Sequence, residues 1–252
     1  GGSTGLYART YDSGDAGKLT ISTSKLLVQD GAQVSASTRS KGNGGDLTVD
    51  AQDIVELIGR TENGRTSSGL YTSANSNSTG DAGNLTISTN KLLVEYGAYV
   101  SASTVGKGKG GDLSVNAQDV QLIGGEGGST GLYTRANLIG DGGNLTVSTN
   151  KLLVQDGAEV STDTFGKGKG GDLTVNAQDI LIRGRGKDNS TGIYAEAYYL
   201  GGDGGNLIIE TNKFVIQDGG EVSTSTFAEG KGGDLIINAQ DVQMIGGGKV
   251  GC

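Results

Sequence analysis

The chain has 252 residues, 48 of them glycine and none proline or tryptophan, against an average usage of about 7% glycine and 5% proline. With 34% apolar and 5% aromatic residues it cannot fill one large round core, and with neither proline nor a Gly-X-Y period it is no collagen, so a thin, elongated core is what remains. A net charge of −8 argues against nucleic acid or an anionic membrane as principal partner, and the absence of histidine excludes Ser-His-Asp and Cys-His catalysis.

No apolar run approaches membrane-span length, so no membrane insertion is expected. No basic segment followed by an apolar one opens the chain, and an export signal is expected outside it. The lone Cys252 excludes a disulfide framework and a cysteine-based zinc site within one chain.

In chain order the sequence divides into four repeats, 1–64, 65–126, 127–187 and 188–252, which together form one domain. Each opens on a small polar stretch before Gly-Leu/Ile-Tyr, at Leu6-Tyr7, Leu70-Tyr71, Leu132-Tyr133 and Ile193-Tyr194. A weaker repeat lies inside each unit. Its leucine markers, Leu19 and Leu47, Leu85 and Leu113, Leu145 and Leu173, Leu207 and Leu235, are always 28 residues apart, whereas the step to the next unit is 38, 32 or 34. Insertions are therefore confined to the flanks of the Gly-Leu/Ile-Tyr strand, as in a solenoid with one rigid side and one tolerant side.

Within a half-unit three short runs alternate with period two: Leu85 to Ser88, Lys91 to Val94 and Val100 to Ser103. Alternation bounded by glycine predicts strands, and no helix-period segment exists. Like strands recurring without intervening helices must stack in parallel, with right-handed connection the default. The expected fold is all-β: a right-handed parallel β-helix of about eight coils with three short strands each. The leucine markers and Ile21, Val49, Ile87, Val115, Val147, Val175, Ile209 and Ile237 should stack as two inward columns.

Runs such as NLTVSTNKLLVQDGAEVSTDT, GKGGDLTVNAQDI and SSGLYTSAN resemble the repeats of filamentous-haemagglutinin-like exoproteins of two-partner secretion, particularly the cyanobacterial type. The resemblance covers all four units. It implies a secreted or cell-surface protein of Gram-negative, outer-membrane-associated type, with the role of stalk, fibre or adhesin. The family's amino-terminal secretion domain is not in this sequence.

Candidate chemistry is sparse. Asp46, Asp112, Asp172 and Asp234 follow Gly-Gly in every unit, with Asp15, Asp81, Asp141 and Asp203 in the alternate coils. Their spacing departs from the calcium-binding nonapeptide, so they are expected as caps on turn N–H groups, with calcium only weakly supported and no cofactor expected. Lys107, Lys109, Lys167 and Lys169 sit in glycine loops that lack the rest of a phosphate-binding motif. An outward column from Thr20 to Thr174 suits an ice-binding surface but is explained by strand propensity, and it breaks at Ile208 and Ile236. If the preceding apolar residue points inward, Tyr7, Tyr71, Tyr133 and Tyr194 form an outward row for contact with sugar rings or protein, unless they merely cover a neighbouring loop.

An enzyme on this scaffold should show one irregular coil with paired carboxylates. The departures from repetition, Glu95, Tyr96, Asp163, Glu196, Glu210 and Phe214, read as scattered over units and sides. The sequence therefore predicts a non-enzymatic structural or adhesive rod, with a carbohydrate-binding or polysaccharide-acting β-helix as the alternative. Expected partners are further copies or adjoining repeats end to end, and surface glycans or extracellular matrix.

Overall fold

The computed structural model describes residues 4–75, 78–125, 128–186, 190–199, 202–227 and 229–247. Among these there is no helix, and sixteen strands form two eight-stranded parallel sheets, giving a β-solenoid of about eight turns. Cys252 lies outside the described residues.

Each coil contributes one short and one long strand. The short ones are β1 (Gly5–Tyr7), β3 (Gln33–Ser35), β5 (Gly69–Tyr71), β7 (Tyr99–Ser101), β9 (Thr130–Tyr133), β11 (Ala158–Ser161), β13 (Thr191–Tyr194) and β15 (Gly220–Ser223). The long ones are β2 (Leu19–Gln29), β4 (Leu47–Ile58), β6 (Leu85–Glu95), β8 (Leu113–Ile123), β10 (Leu145–Gln155), β12 (Leu173–Arg183), β14 (Leu207–Gln217) and β16 (Leu235–Ile245). Two of the three expected runs are thus continuous. In β6 the buried residues are Leu85 and Ile87, then Leu92 and Val94, so the inward parity flips across Thr89 to Lys91 and the strand bends without ending. Threonine holds this bend in alternate coils. The Thr89, Thr149 and Thr211 hydroxyls donate to the carbonyls of Lys91, Lys151 and Lys213 at 3.3, 3.0 and 3.1 Å. Beyond each short strand, single parallel bridges from Thr10 through Thr38 and Ala74 to Thr226 close the third side of the coil.

The leucine markers pair directly, Leu19 with Leu47 and onward to Leu207 with Leu235. Between the terminal coils they are almost wholly buried, as are Val49 to Ile209 in the second column. At the last coil these columns open, Leu235 being 41% and Ile237 37% exposed, as does the column of Val94 and Val154, which ends on Met244 at 78%.

The glycines at the corners are required by close approach. A Cβ on Gly45 would lie 2.0 Å from the Gly17 carbonyl, and the same contact recurs at Gly83, Gly111, Gly143, Gly171, Gly205 and Gly233. Next to them runs a ladder of side-chain carbonyl groups. Asp46 Oδ1 accepts the Asn84 N–H (3.1 Å), Asn84 Oδ1 accepts that of Asp112 (2.9 Å), and Asp112 Oδ1 accepts that of Asn144 (2.8 Å), continuing to Asp234. A second ladder begins with Asp15 Oδ1 accepting from Asn43 at 2.7 Å. These aspartates serve backbone N–H groups of the following coil, not of their own turn.

Candidate functional site

The expected tyrosine row is corrected by the structure. Tyr7 is 37% exposed, but Tyr71, Tyr133 and Tyr194 are only 7%, 3% and 6% exposed, so three of the four are not free to contact a partner. They do point away from the core, and their burial comes from outside it. Tyr99 packs edge-on against both Tyr71 and Tyr133, with centroids 5.0 and 5.8 Å apart, and the Arg135 guanidinium lies 4.0 Å from the Tyr133 ring centre. The glycine two residues earlier lets each ring arch back over its own strand: a Cβ on Gly5, Gly69 or Gly192 would meet the hydroxyl of Tyr7, Tyr71 or Tyr194 at 2.6 Å. Tyr71 and Tyr133 then donate to the carbonyls of Ser67 (3.0 Å) and Thr130 (2.9 Å). The Gly-Leu/Ile-Tyr motif is a self-capping device.

Tyr194 arches in the same way but its buried hydroxyl has no hydrogen-bond partner; Ser190 stands beside it without hydrogen-bond geometry. The Tyr194 residue lines a depression of about 630 Å³ formed by the outer face of β9, β11, β13 and β15 and the turns that follow them. Here repetition fails. Two residues beyond the column that Tyr133, Ser161, Tyr194 and Ser223 share stand Arg135, Asp163, Glu196 and Ser225. In the corresponding places of other coils Ser37 and Ser103 simply bond to Ser35 and Ser101, at 2.8 and 2.7 Å.

Arg135 is held by Glu159 at 2.6 Å and Asp163 at 3.6 Å, and its Nε donates to the Ser161 hydroxyl at 3.3 Å. Asp163 also accepts from the Ser161 hydroxyl and from the Glu196 N–H (3.1 Å), which brings Asp163 and Glu196 side by side on adjacent coils. The expectation that the departures are scattered is corrected for these two. Burial pushes Asp163 up to about 6, against the opposing pull of Arg135, the Ser161 hydroxyl and the Glu196 N–H. Burial also disfavours the Arg135 charge, but Tyr133, Asp163 and Glu159 outweigh it and hold the guanidinium protonated. Glu196 accepts from the Tyr198 hydroxyl, whose pKa is raised first by burial and then by that bond.

A rib of rings borders the depression. Phe165, Tyr198 and Phe227 stack along the axis with centroids 5.0 and 5.1 Å apart and planes within 12°. Tyr199, 78% exposed, lies beside them, and Phe227, 65% exposed, keeps one face clear of the stack. The acid–aromatic grouping escapes a reading unit by unit because its members come from both halves of the repeat. Numbering both halves from the Leu6 and Val34 strand positions places Arg135, Asp163 and Glu196 in one column.

The remaining departures lie elsewhere: Phe214 in the core, Glu95 and Tyr96 at a corner, and Glu210 on an open trough of about 1140 Å³ along the bend of the long strands. Serines and amides such as Ser88, Asn90, Asn116 and Gln118 line that trough, and Gln118 donates to Asn90 at 3.1 Å. Lys107, Lys109, Lys167 and Lys169 are exposed, with the Lys109 and Lys169 N–H groups bound to Asp81 and Asp141. Among the described residues no three His, Cys, Asp or Glu side chains gather as a metal site, and no helix is long and apolar enough to cross a membrane.

Comparison with family models, curated proteins and solved structures returns no match to this chain. The resemblance to filamentous-haemagglutinin-like repeats accordingly rests on the sequence motifs alone.

Proposed function

We propose that this chain is a structural and adhesive rod segment of a secreted or cell-surface exoprotein, holding position and presenting a surface with no catalytic role of its own. The observation that carries this reading is the constancy of the coil. Strand lengths, inward columns and the Asp/Asn ladder repeat from coil to coil, and the apolar columns lie open at the ends of the stack, where Leu6 is exposed and Leu19, Ile21 and Leu26 are half-buried on one side and Ile237, Val242 and Met244 are exposed on the other. Such ends favour stacking on another coil, whether an adjoining repeat or a second copy.

Electron microscopy of the purified protein over a concentration series tests the proposal. Rods that lengthen in steps of one molecule support it. Discrete particles of monomer length at the highest concentration count against it. The second reading, a carbohydrate-binding β-helix, is favoured by one feature, the acid–aromatic depression, and is compatible with the first: a rod that adheres needs somewhere to bind.

A further inference from the structure

We infer that the depression over β9 to β15 is a binding site for an oligosaccharide that carries protonated amino groups. The inference deepens the adhesive half of the proposed function and rests on it.

The charge balance points to a cation. Among the described residues, four carboxylates, Glu159, Asp163, Glu196 and Glu221, line the depression against one base, Arg135, and that base is already committed to Glu159 and Asp163. Among the described residues, Glu196, 5% exposed, has a phenol as its hydrogen-bond donor and no cation, and the exposed Glu221 has no ion pair. Two negative groups therefore face one space with no positive partner among the described residues, and a ligand ammonium placed between them would form charge-assisted hydrogen bonds to both. An anionic sugar would meet net repulsion there.

A separate observation asks for a hydroxyl-bearing ligand. The Tyr194 hydroxyl is buried in the wall of the depression without a partner, although the equivalent hydroxyls of Tyr71 and Tyr133 are bonded. Leaving such a group unpaired is costly, and a ligand hydroxyl or ether oxygen would satisfy it once the Tyr194 ring swings outward into the depression.

The shape favours a sugar chain over a lysine side chain. The lining residues come from four consecutive coils, so the site runs roughly 15 Å along the axis at about 4.8 Å per coil. Its volume of about 630 Å³ lies in the ordinary range for small-molecule sites, roughly 300–1,000 Å³, and is far wider than an alkyl chain needs. The uncovered face of Phe227 and the exposed ring of Tyr199 provide apolar surface at the rim for the C–H face of a pyranose.

The test is calorimetric titration of the full chain with an oligoglucosamine whose amines are free, with its fully N-acetylated counterpart and with oligolysine of equal length, at a pH where the amines are charged. The expected result is binding of the free-amine sugar, at least tenfold weaker binding of the acetylated one and of oligolysine, and a loss of about tenfold or more in Glu196→Gln and in Tyr194→Phe. Circular dichroism and melting of each variant establish folding. Should Glu196→Gln fail to fold, the rim variant Glu221→Gln and Tyr194→Phe carry the measurement. Equal binding of the acetylated sugar overturns the role of the ammonium, equal binding of oligolysine overturns the sugar, and variants that bind like the parent overturn the site. Rod assembly, read by microscopy on the same samples, is independent of all three outcomes, so the binding site can fail while the rod stands.

Discussion

At the scale of single residues, two substitutions separate structural necessity from chemistry. Gly69 lies beneath the arched Tyr71 and against the Tyr99 carbonyl, 2.0 Å from where a Cβ would sit. Gly69→Ala must either push the ring outward or force adjacent coils apart, and is expected to destabilise by about 3 kcal/mol in denaturant unfolding. Tyr71→Phe, which loses only the bond to the Ser67 carbonyl, should cost about 1 kcal/mol. Asp163 sets a pH dependence. Its carboxyl titrates near 6 in the folded chain against an ordinary value of 3.8, because the buried site disfavours the charge. A carboxyl whose folded pKa is raised leaves its contribution intact below the unfolded value and loses it as pH climbs through the folded one. Between pH about 4 and 6 the parent should therefore lose about 3 kcal/mol of stability through this group, and Asp163→Asn should remove that slope. Denaturant midpoints at both ends of the window decide it: equal pH slopes in the two proteins would show that Asp163 ionises freely.

At the scale of elements, the side-chain ladder beside the glycine corners makes a related distinction between charge and hydrogen bonding. Asp112 accepts the Asn144 N–H at 2.8 Å and its own N–H is accepted by Asn84 at 2.9 Å, so Asp and Asn alternate in one geometric role. Asp112→Asn should leave the melting temperature nearly unchanged, with or without calcium, whereas Asp112→Ala should cost about 1 kcal/mol for the lost acceptor. A large loss in the Asn variant, relieved by calcium in the parent alone, would instead place a cation on the carboxylate. The coil itself was legible from the sequence because each inward column is a repeated choice: Leu19 to Leu235 needs no structure to be seen as a stack. The bend inside the long strand was not, since Lys91 to Val94 looks like a new strand until the parity flip at Thr89 is seen to carry the chain through without a break. Nor was the burial of the tyrosines. Their direction follows from alternation, but their cover does not: Tyr99 comes from a neighbouring coil, and Arg135 folds back over Tyr133 only where Glu159 and Asp163 of the next coil hold it. The same cross-coil origin hides the carboxylate pair Asp163 and Glu196, 33 residues apart in sequence and joined by one hydrogen bond.

At the scale of the whole molecule, the alternation of coils decides how one rod would meet another. Outward at the bend, Lys91, Asp119, Lys151, Asp179, Lys213 and Asp241 succeed one another in register, so Lys151 and Lys213 each lie between acids of the adjoining coils. Only the extra residue in β4, which pairs Ile54 with Lys25 and Lys91, interrupts the sequence. The last coil thus ends on Asp241, and the first begins on Lys25. Stacking the first coil of a second copy on the last coil of the first would set Lys25 beside Asp241, continue Ser223 with Tyr7 in the alternation of serine and tyrosine, and cover Ile237, Val242 and Met244 with Ile21, Leu26 and Val28 of the same columns. Because the two contacting faces differ, such a contact is head to tail and does not close, and it generates a filament instead of a dimer. Met244 is the residue with which to test this, being 78% exposed at the end of its column and therefore dispensable to the isolated fold. Met244→Lys should leave the stability of the dilute protein within about 0.5 kcal/mol of the parent while placing a charge in the centre of the junction. In sedimentation velocity the parent is expected to grow with concentration and the variant to stay at monomer size; growth of the variant equal to that of the parent would mean that the rods do not join through this face.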